Sequence, residues 1–211
     1  MVTNLTKQQI ESIQIDESVI FLDYGEDTER FLAPTRGGGE FAATVTVRDI
    51  EFDGKLGKTA GTQVIEEQGA SIKVTTLCMS QENLARAIPG CTVSDAEGNA
   101  ITNPKTGIIP DSAYLKNITM FAKLISGKYK KITIFNPMHE TGFTAKAVQK
   151  AEGELAFEFL AHYARTDLDG TLWKVEEISA FPEQAAAAAV NTEGEQPAAD
   201  GGTDDGTNTE E

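Results

Sequence analysis

The chain has 211 residues, is 40% hydrophobic and carries a formal net charge of −15. That length suits one domain with a true core. No apolar run approaches the ~18 residues of a membrane-spanning helix, and so acidic a surface argues against a specific reader of nucleic acid.

From the N-terminus, Met1-Val2-Thr3-Asn4-Leu5-Thr6-Lys7 lacks the basic-then-apolar order of a signal peptide, so a protein made and kept in a cytoplasm is expected. Residues 1–16 read as an arm. A single β domain is expected over 17–182. Val19-Ile20-Phe21-Leu22 reads as a short strand closed by Gly25 and Asp27. Residues 40–52 alternate, with Phe41, Val45 and Val47 on one face and Thr44, Thr46 and Arg48 on the other. Near Asp49 the phase slips to Ile50 and Phe52, which predicts a bulge. Asp53, Gly54, Lys55 and the glycines to Gly61 form a connection. A returning strand over 62–77 sets Ile72 and Val74 against Ser71, Lys73 and Thr75. These two strands read as one long hairpin. Its polar residues, Thr44, Thr46, Arg48, Ser71, Lys73 and Thr75, are expected to share an open face, while Val45 and Val47 pack on a second sheet.

One helix is predicted after Ser80, a suitable cap, with Glu82 in its first turn and Pro89-Gly90 as its stop. A turn-rich loop follows over 91–112. Further hairpins are predicted from 114–125 with 130–135, and from 141–150 with 154–163. The last strand, over 172–179, carries Trp173. About eight strands and one helix make a mainly β sandwich or barrel. Residues 183–211 hold eight acids and no bases, leaving 25 acids against 18 bases in the first 182. With Val190 as the one large aliphatic residue, that segment cannot bury enough surface to offset its ordering entropy and is expected to be disordered.

No catalytic constellation emerges. Thr35-Arg36-Gly37-Gly38-Gly39-Glu40 lacks the Lys-Ser/Thr of a phosphate loop. No serine occupies a nucleophile elbow. Asp167-Leu168-Asp169-Gly170 lacks the closing Glu of a calcium loop and reads as a turn. Glu66-Glu67 and Glu176-Glu177 point to opposite faces of their strands. Cys78 and Cys91 read as reduced thiols, and His139 and His162 form no ligand pair. Neither metal nor cofactor is expected.

The run Thr35 to Phe41, followed by Val47-Arg48-Asp49-Ile50-Glu51-Phe52-Asp53-Gly54-Lys55, resembles the opening hairpin of tail tube proteins from siphophages of Gram-positive hosts. The later order of a short helix, a loop and hairpins ending near Trp173 is also similar, so the likeness runs over residues 17–181. The resemblance implies a sandwich or barrel with one helix, of a type shared with type VI secretion tubes. Hexameric rings of it would stack into a hollow tube, with inner strands joined around a channel and Thr44, Thr46, Arg48, Ser71, Lys73 and Thr75 facing its lumen. Loops and the N-terminal arm would tie ring to ring. Arg36, Gly37, Gly38, Gly39, Asp53, Gly54 and Lys55 would then belong to inter-subunit loops. The implied partners are further copies of the chain, a tape-measure protein, tail tip or baseplate proteins and a tail terminator, with double-stranded DNA only as passing cargo and no membrane. Rival readings are a β-sandwich that binds a ligand or carbohydrate and a lipocalin-like barrel, which the helix and the long loop fit poorly.

Overall fold

A computed structural model describes residues 6–15, 18–32, 34–93, 100–144 and 152–182. The acidic segment 183–211 and residues 145–150 of one predicted hairpin lie outside them. The fold is mainly β, consistent with a sandwich. The described residues form eleven strands: β1 (Val19–Leu22), β2 (Arg30–Phe31), β3 (Thr35–Asp49), β4 (Gln63–Thr76), β5 (Thr92–Val93), β6 (Ile101–Thr102), β7 (Asn117–Lys123), β8 (Tyr129–Phe135), β9 (Met138–His139), β10 (Leu155–Leu160) and β11 (Trp173–Ile178). Four of these are two-residue pairs, which is why periodicity finds fewer.

Two antiparallel sheets face each other. One has the order β11-β8-β7-β1-β2 and the other β3-β4-β10-β9. Between them Ile20, Leu22, Ile118, Met120, Ile132 and Ile134 meet Ile72, Val74, Leu155, Phe157 and Phe159, all buried. The opposite face of the five-stranded sheet is also covered. Phe21 and Phe121 are fully buried there under Tyr24, Phe31 and Phe181. On that same face the hydroxyls of Thr119 and Thr133 bond each other at 3.0 Å, so these two buried groups are satisfied.

Helix α1 (Lys7–Glu11) starts in a capping box between Thr6 and Gln9. The segment after it is attached to the β7–β8 turn: Ile15 N–H donates to Lys123 O and Ile125 N–H to Ile13 O. Helix α2 (Gln81–Arg86) begins where the sequence places it, with the Ser80 hydroxyl accepting from Asn83 N–H. Glu82 holds both Arg30 and Arg86, fastening α2 to β2. Burial and the neighbouring Arg86 bring the Arg30 guanidinium down to about 10. Among the described residues no helix is long and apolar enough to cross a membrane.

Three expectations are corrected. Residues 141–144 form no strand, and β10 pairs with β4 and with β9. The bulge of the long hairpin falls between Thr46 and Val47, where Glu66 is the extra residue on the returning strand. It accommodates the apolar run across Ile65 rather than a slip at Asp49. Finally, Arg36, Gly37, Gly38 and Gly39 belong to strand β3 and not to a loop. Gly37 and Gly38, at φ +77 and +72, form a second register shift, which glycine tolerates without a Cβ clash.

Candidate assembly surface

Strand β3 begins at the sandwich and leaves it, and β4 returns to it. A Cβ on Gly39 would stand 2.7 Å from Met120 Sδ and 2.8 Å from Ile20 Cδ1, so β3 there touches β7 and β1. Two residues later Phe41 meets Trp173 of β11, with ring centroids 5.8 Å apart. Strand β3 therefore crosses over the five-stranded sheet towards its β11 edge. Beyond Phe41, among the described residues, no second sheet lies beneath it. Ala43, Val45 and Val47, the next residues on the core face, are exposed, Val45 at 55% and Val47 at 52%. On β4, Ile65 shares that face and is 60% exposed. The expectation that Val45 and Val47 pack on a second sheet of their own chain is thus overturned. The hairpin is longer than the sandwich is wide.

The expected polar face is real as a face. The register pairs Thr44 with Gly69, Thr46 with Glu67, Arg48 with Val64, Ala42 with Ser71, Glu40 with Lys73 and Arg36 with Thr75. All six predicted residues therefore lie opposite Phe41, Ile72 and Val74. Thr44, Thr46, Arg48 and Lys73 are exposed, Thr75 is half-buried, and Ser71 is buried between Ala42 and Leu160. Each cation of β3 and β4 has a carboxylate partner. Arg48 is bonded to Glu66, Lys73 stands 3.3 Å from Glu158, and Arg36 holds Glu154 at 2.6 Å and Glu152 at 2.9 Å. That double clamp raises the Arg36 guanidinium and lowers the Glu152 carboxyl.

The tip is ordered by its own lysine. Lys55 Nζ lies 2.5 Å from Asp49 Oδ2 and donates to Ile50 O at 2.7 Å, with a side chain 3% exposed. The Asp49 carboxyl is held below its usual range by Lys55 first, and also by Thr62 and Gln63. Asp53 and Gly54, at φ +87, make the exposed turn between them. Ile50, Phe52 and Leu56 are left facing solvent at the tip. Sequence reading missed this staple. The spacing Asp49-x5-Lys55 was its only local signal.

A groove of about 830 Å³ lies on the body, lined by Ile108, Ile109, Tyr114, Lys116, Tyr163 and Leu168, among others. Ile108 is fully exposed and Leu168 is 76% exposed. The Asp167–Gly170 segment is a turn, as expected, and it follows another turn, in which Asp167 N–H donates to Ala164 O. His139 is buried between Phe157 and Phe159, its Nδ1 accepting from Glu158 N–H at 2.9 Å. His162 pairs with Glu140 instead. Cys78 and Cys91 are free. Among the described residues no cluster of three or more His, Cys, Asp or Glu could hold a metal ion.

No protein-family model matches the chain, and no curated protein matches it either.

Proposed function

We propose that this chain is the repeating subunit of a hollow tube: the major tail tube protein of a long-tailed bacteriophage. In this reading it is a virion protein with a structural and not a catalytic role. Hexameric rings assemble in the host cytoplasm and stack into the conduit for genome ejection. One observation carries the reading. A fifteen-residue strand, β3, pairs on one side only among the described residues and runs out of its sandwich with an uncovered apolar face. An edge that long and that apolar is a liability in a monomer and a joint in an assembly. Neighbouring copies cover the face and extend the sheet around the channel.

The polar face then lines the channel. Its three cations are already paired with carboxylates. A wall of that kind offers little grip to phosphates, so DNA passes without binding. Tape-measure, terminator and tip proteins would meet the tube at its inside and its two ends.

Electron microscopy of the purified full-length chain at high concentration tests this reading. Rings or tubes with a hollow axis are expected, and a uniform field of monomers would overturn it. A Val47→Asp variant should stay folded, because its side chain is already in solvent, and should fail to polymerise.

A further inference from the structure

Aspartate stands directly before glycine at Asp53-Gly54, Asp169-Gly170, Asp200-Gly201 and Asp205-Gly206. The last two pairs lie outside the described residues. In such a pair the glycine nitrogen can attack the aspartate side chain, because glycine has no side chain to obstruct the approach. The two described pairs differ in their surroundings. Asp53 and Gly54 are the central residues of a turn closed by Lys55 N–H donating to Phe52 O at 3.2 Å, and both are exposed. Among the described residues Gly54 N–H donates to no acceptor, and the Asp53 carboxyl has neither a hydrogen bond nor an ion pair. A carbon built on Gly54 meets nothing within 4 Å, so the peptide between the two residues has room to swing. Asp169 is exposed as well. A carbon built on Gly170, however, would stand 2.7 Å from Asp167 Oδ2 and 3.0 Å from its Cγ. That carboxylate blocks the same swing, and its charge repels the Asp169 side chain.

We propose that Asp53 is a site of spontaneous isomerisation, with water as its only co-reactant, and that the fold selects it over Asp169. Gly54 N attacks Asp53 Cγ. The N–Cγ bond forms, the bond from Cγ to the carboxyl hydroxyl breaks, and the hydroxyl leaves with the amide proton as water. The product is a five-membered cyclic imide. Water then opens it at either carbonyl, and nothing is oxidised or reduced. Opening at the side-chain carbonyl restores aspartate. Opening at the main-chain carbonyl leaves isoaspartate, in which the chain runs through Cβ and Cγ. The covalent path between Asp49 and Lys55, whose side chains hold the tip together, is then one atom longer. This modification is independent of whether the chain builds a tube.

Ageing the folded full-length chain for several weeks, warm and at neutral pH, tests the site. Trypsin then releases Asp49–Lys55 and Thr166–Lys174, each with a single Asp-Gly pair, so mass spectrometry with electron-transfer fragmentation reads the two sites separately. Isoaspartate should accumulate severalfold faster at Asp53 than at Asp169. The excess should vanish in chains aged in guanidinium chloride, where both pairs are free to swing. Asp53→Asn and Asp169→Asn repeat the comparison with ammonia as the leaving group. Both replaced side chains are exposed, so both variants should melt with the parent. The Asp53→Asn chain should deamidate severalfold faster than the Asp169→Asn chain. Equal rates at the two sites in the folded chain, or an excess at Asp53 that persists unchanged in guanidinium chloride, would overturn the proposal.

Discussion

The rings of Phe41 and Trp173 meet edge to face, 5.8 Å apart, and mark the point where the long hairpin leaves the sandwich. On one side of this contact the core face of β3 is covered; on the other, Val45 and Val47 are in solvent. Trp173 is itself 38% exposed and its neighbour on the same face, Val175, 43%. The pair therefore acts as a hinge post. An aromatic pair contributes about 1 kcal/mol beyond its buried area. A double-mutant cycle with Phe41→Ala and Trp173→Ala should find a coupling of about that size. Each single change should also speed hydrogen exchange along 43–49 more than in β7. Coupling near zero would mean that the arm is held by its strand hydrogen bonds alone.

The tip should loosen in acid. The Asp49 carboxyl has a folded pKa below its ordinary value, because Lys55 and the Thr62 hydroxyl bind its charged form. A depressed carboxylate contributes stability above its unfolded pKa, about 3.9, and loses it as pH falls through the folded value. Proteolysis within 50–62 by an acid-active protease should therefore rise below about pH 4. Asp49→Asn should be cut readily at neutral pH and respond less to acid. Equal pH dependence in the two proteins would remove the staple from the account.

Two of the three consecutive glycines, Gly37 and Gly39, should respond differently to alanine. At Gly39 the obstacle is packing, with Met120 Sδ at 2.7 Å and Ile20 Cδ1 at 2.8 Å from the added carbon. Overpacking of this kind costs about 1–3 kcal/mol. At Gly37 nothing lies within 4 Å, and the obstacle is φ +77, worth about 1–2 kcal/mol. Denaturant unfolding of Gly39→Ala, Gly37→Ala and Gly37→Asn separates the two causes. Asparagine tolerates the left-handed region, so it should recover part of the loss at Gly37. A neutral Gly39→Ala would show that β3 does not approach the core so closely.

Much of this fold was legible because period-2 alternation survives in β3, β4, β7, β8 and β11 and because Ser80 and Pro89 bracket α2. The polar face was legible for the same reason: alternation fixes which residues share a face. It does not say whether anything lies on the other side. Val45 and Val47 have the pattern of core residues, and only the crossing of β3 over the β11 edge puts them in solvent. The bulge was misplaced because Glu66, the extra residue, is on the returning strand, while the slip in apolar phase was sought on the outgoing one. The Lys55–Asp49 staple escaped because an acid and a lysine six residues apart around a glycine turn are common. The groove escaped because Ile108 lies in the connection between β6 and β7, whereas Tyr163 and Leu168 lie in the one between β10 and β11.

The root of the acidic segment is fixed by Phe181. Its ring stands 5.2 Å from Phe121 and 5.5 Å from Tyr129, on the face of the five-stranded sheet that is turned away from β3 and β4. If the polar face of β3 and β4 lines a channel, residues 183–211 begin on the outside of the tube. Electrostatics favours the same side. Six copies of eight acids would bring −48 to each ring, and confining that charge in a narrow bore is costly where screening reaches only ~8 Å. Outside, such segments would have room in solvent and would repel neighbouring tubes. Truncation after Pro182 should therefore leave folding and tube formation intact, while truncated tubes bundle sideways at low salt more than full-length ones. Phe181→Ala should instead lower the melting temperature, because it uncovers Phe121, without changing bundling. Light scattering across a salt series reads the first effect and thermal denaturation the second. Loss of rings on truncation would assign the segment a structural role within the assembly, and bundling indifferent to truncation would remove its repulsive one.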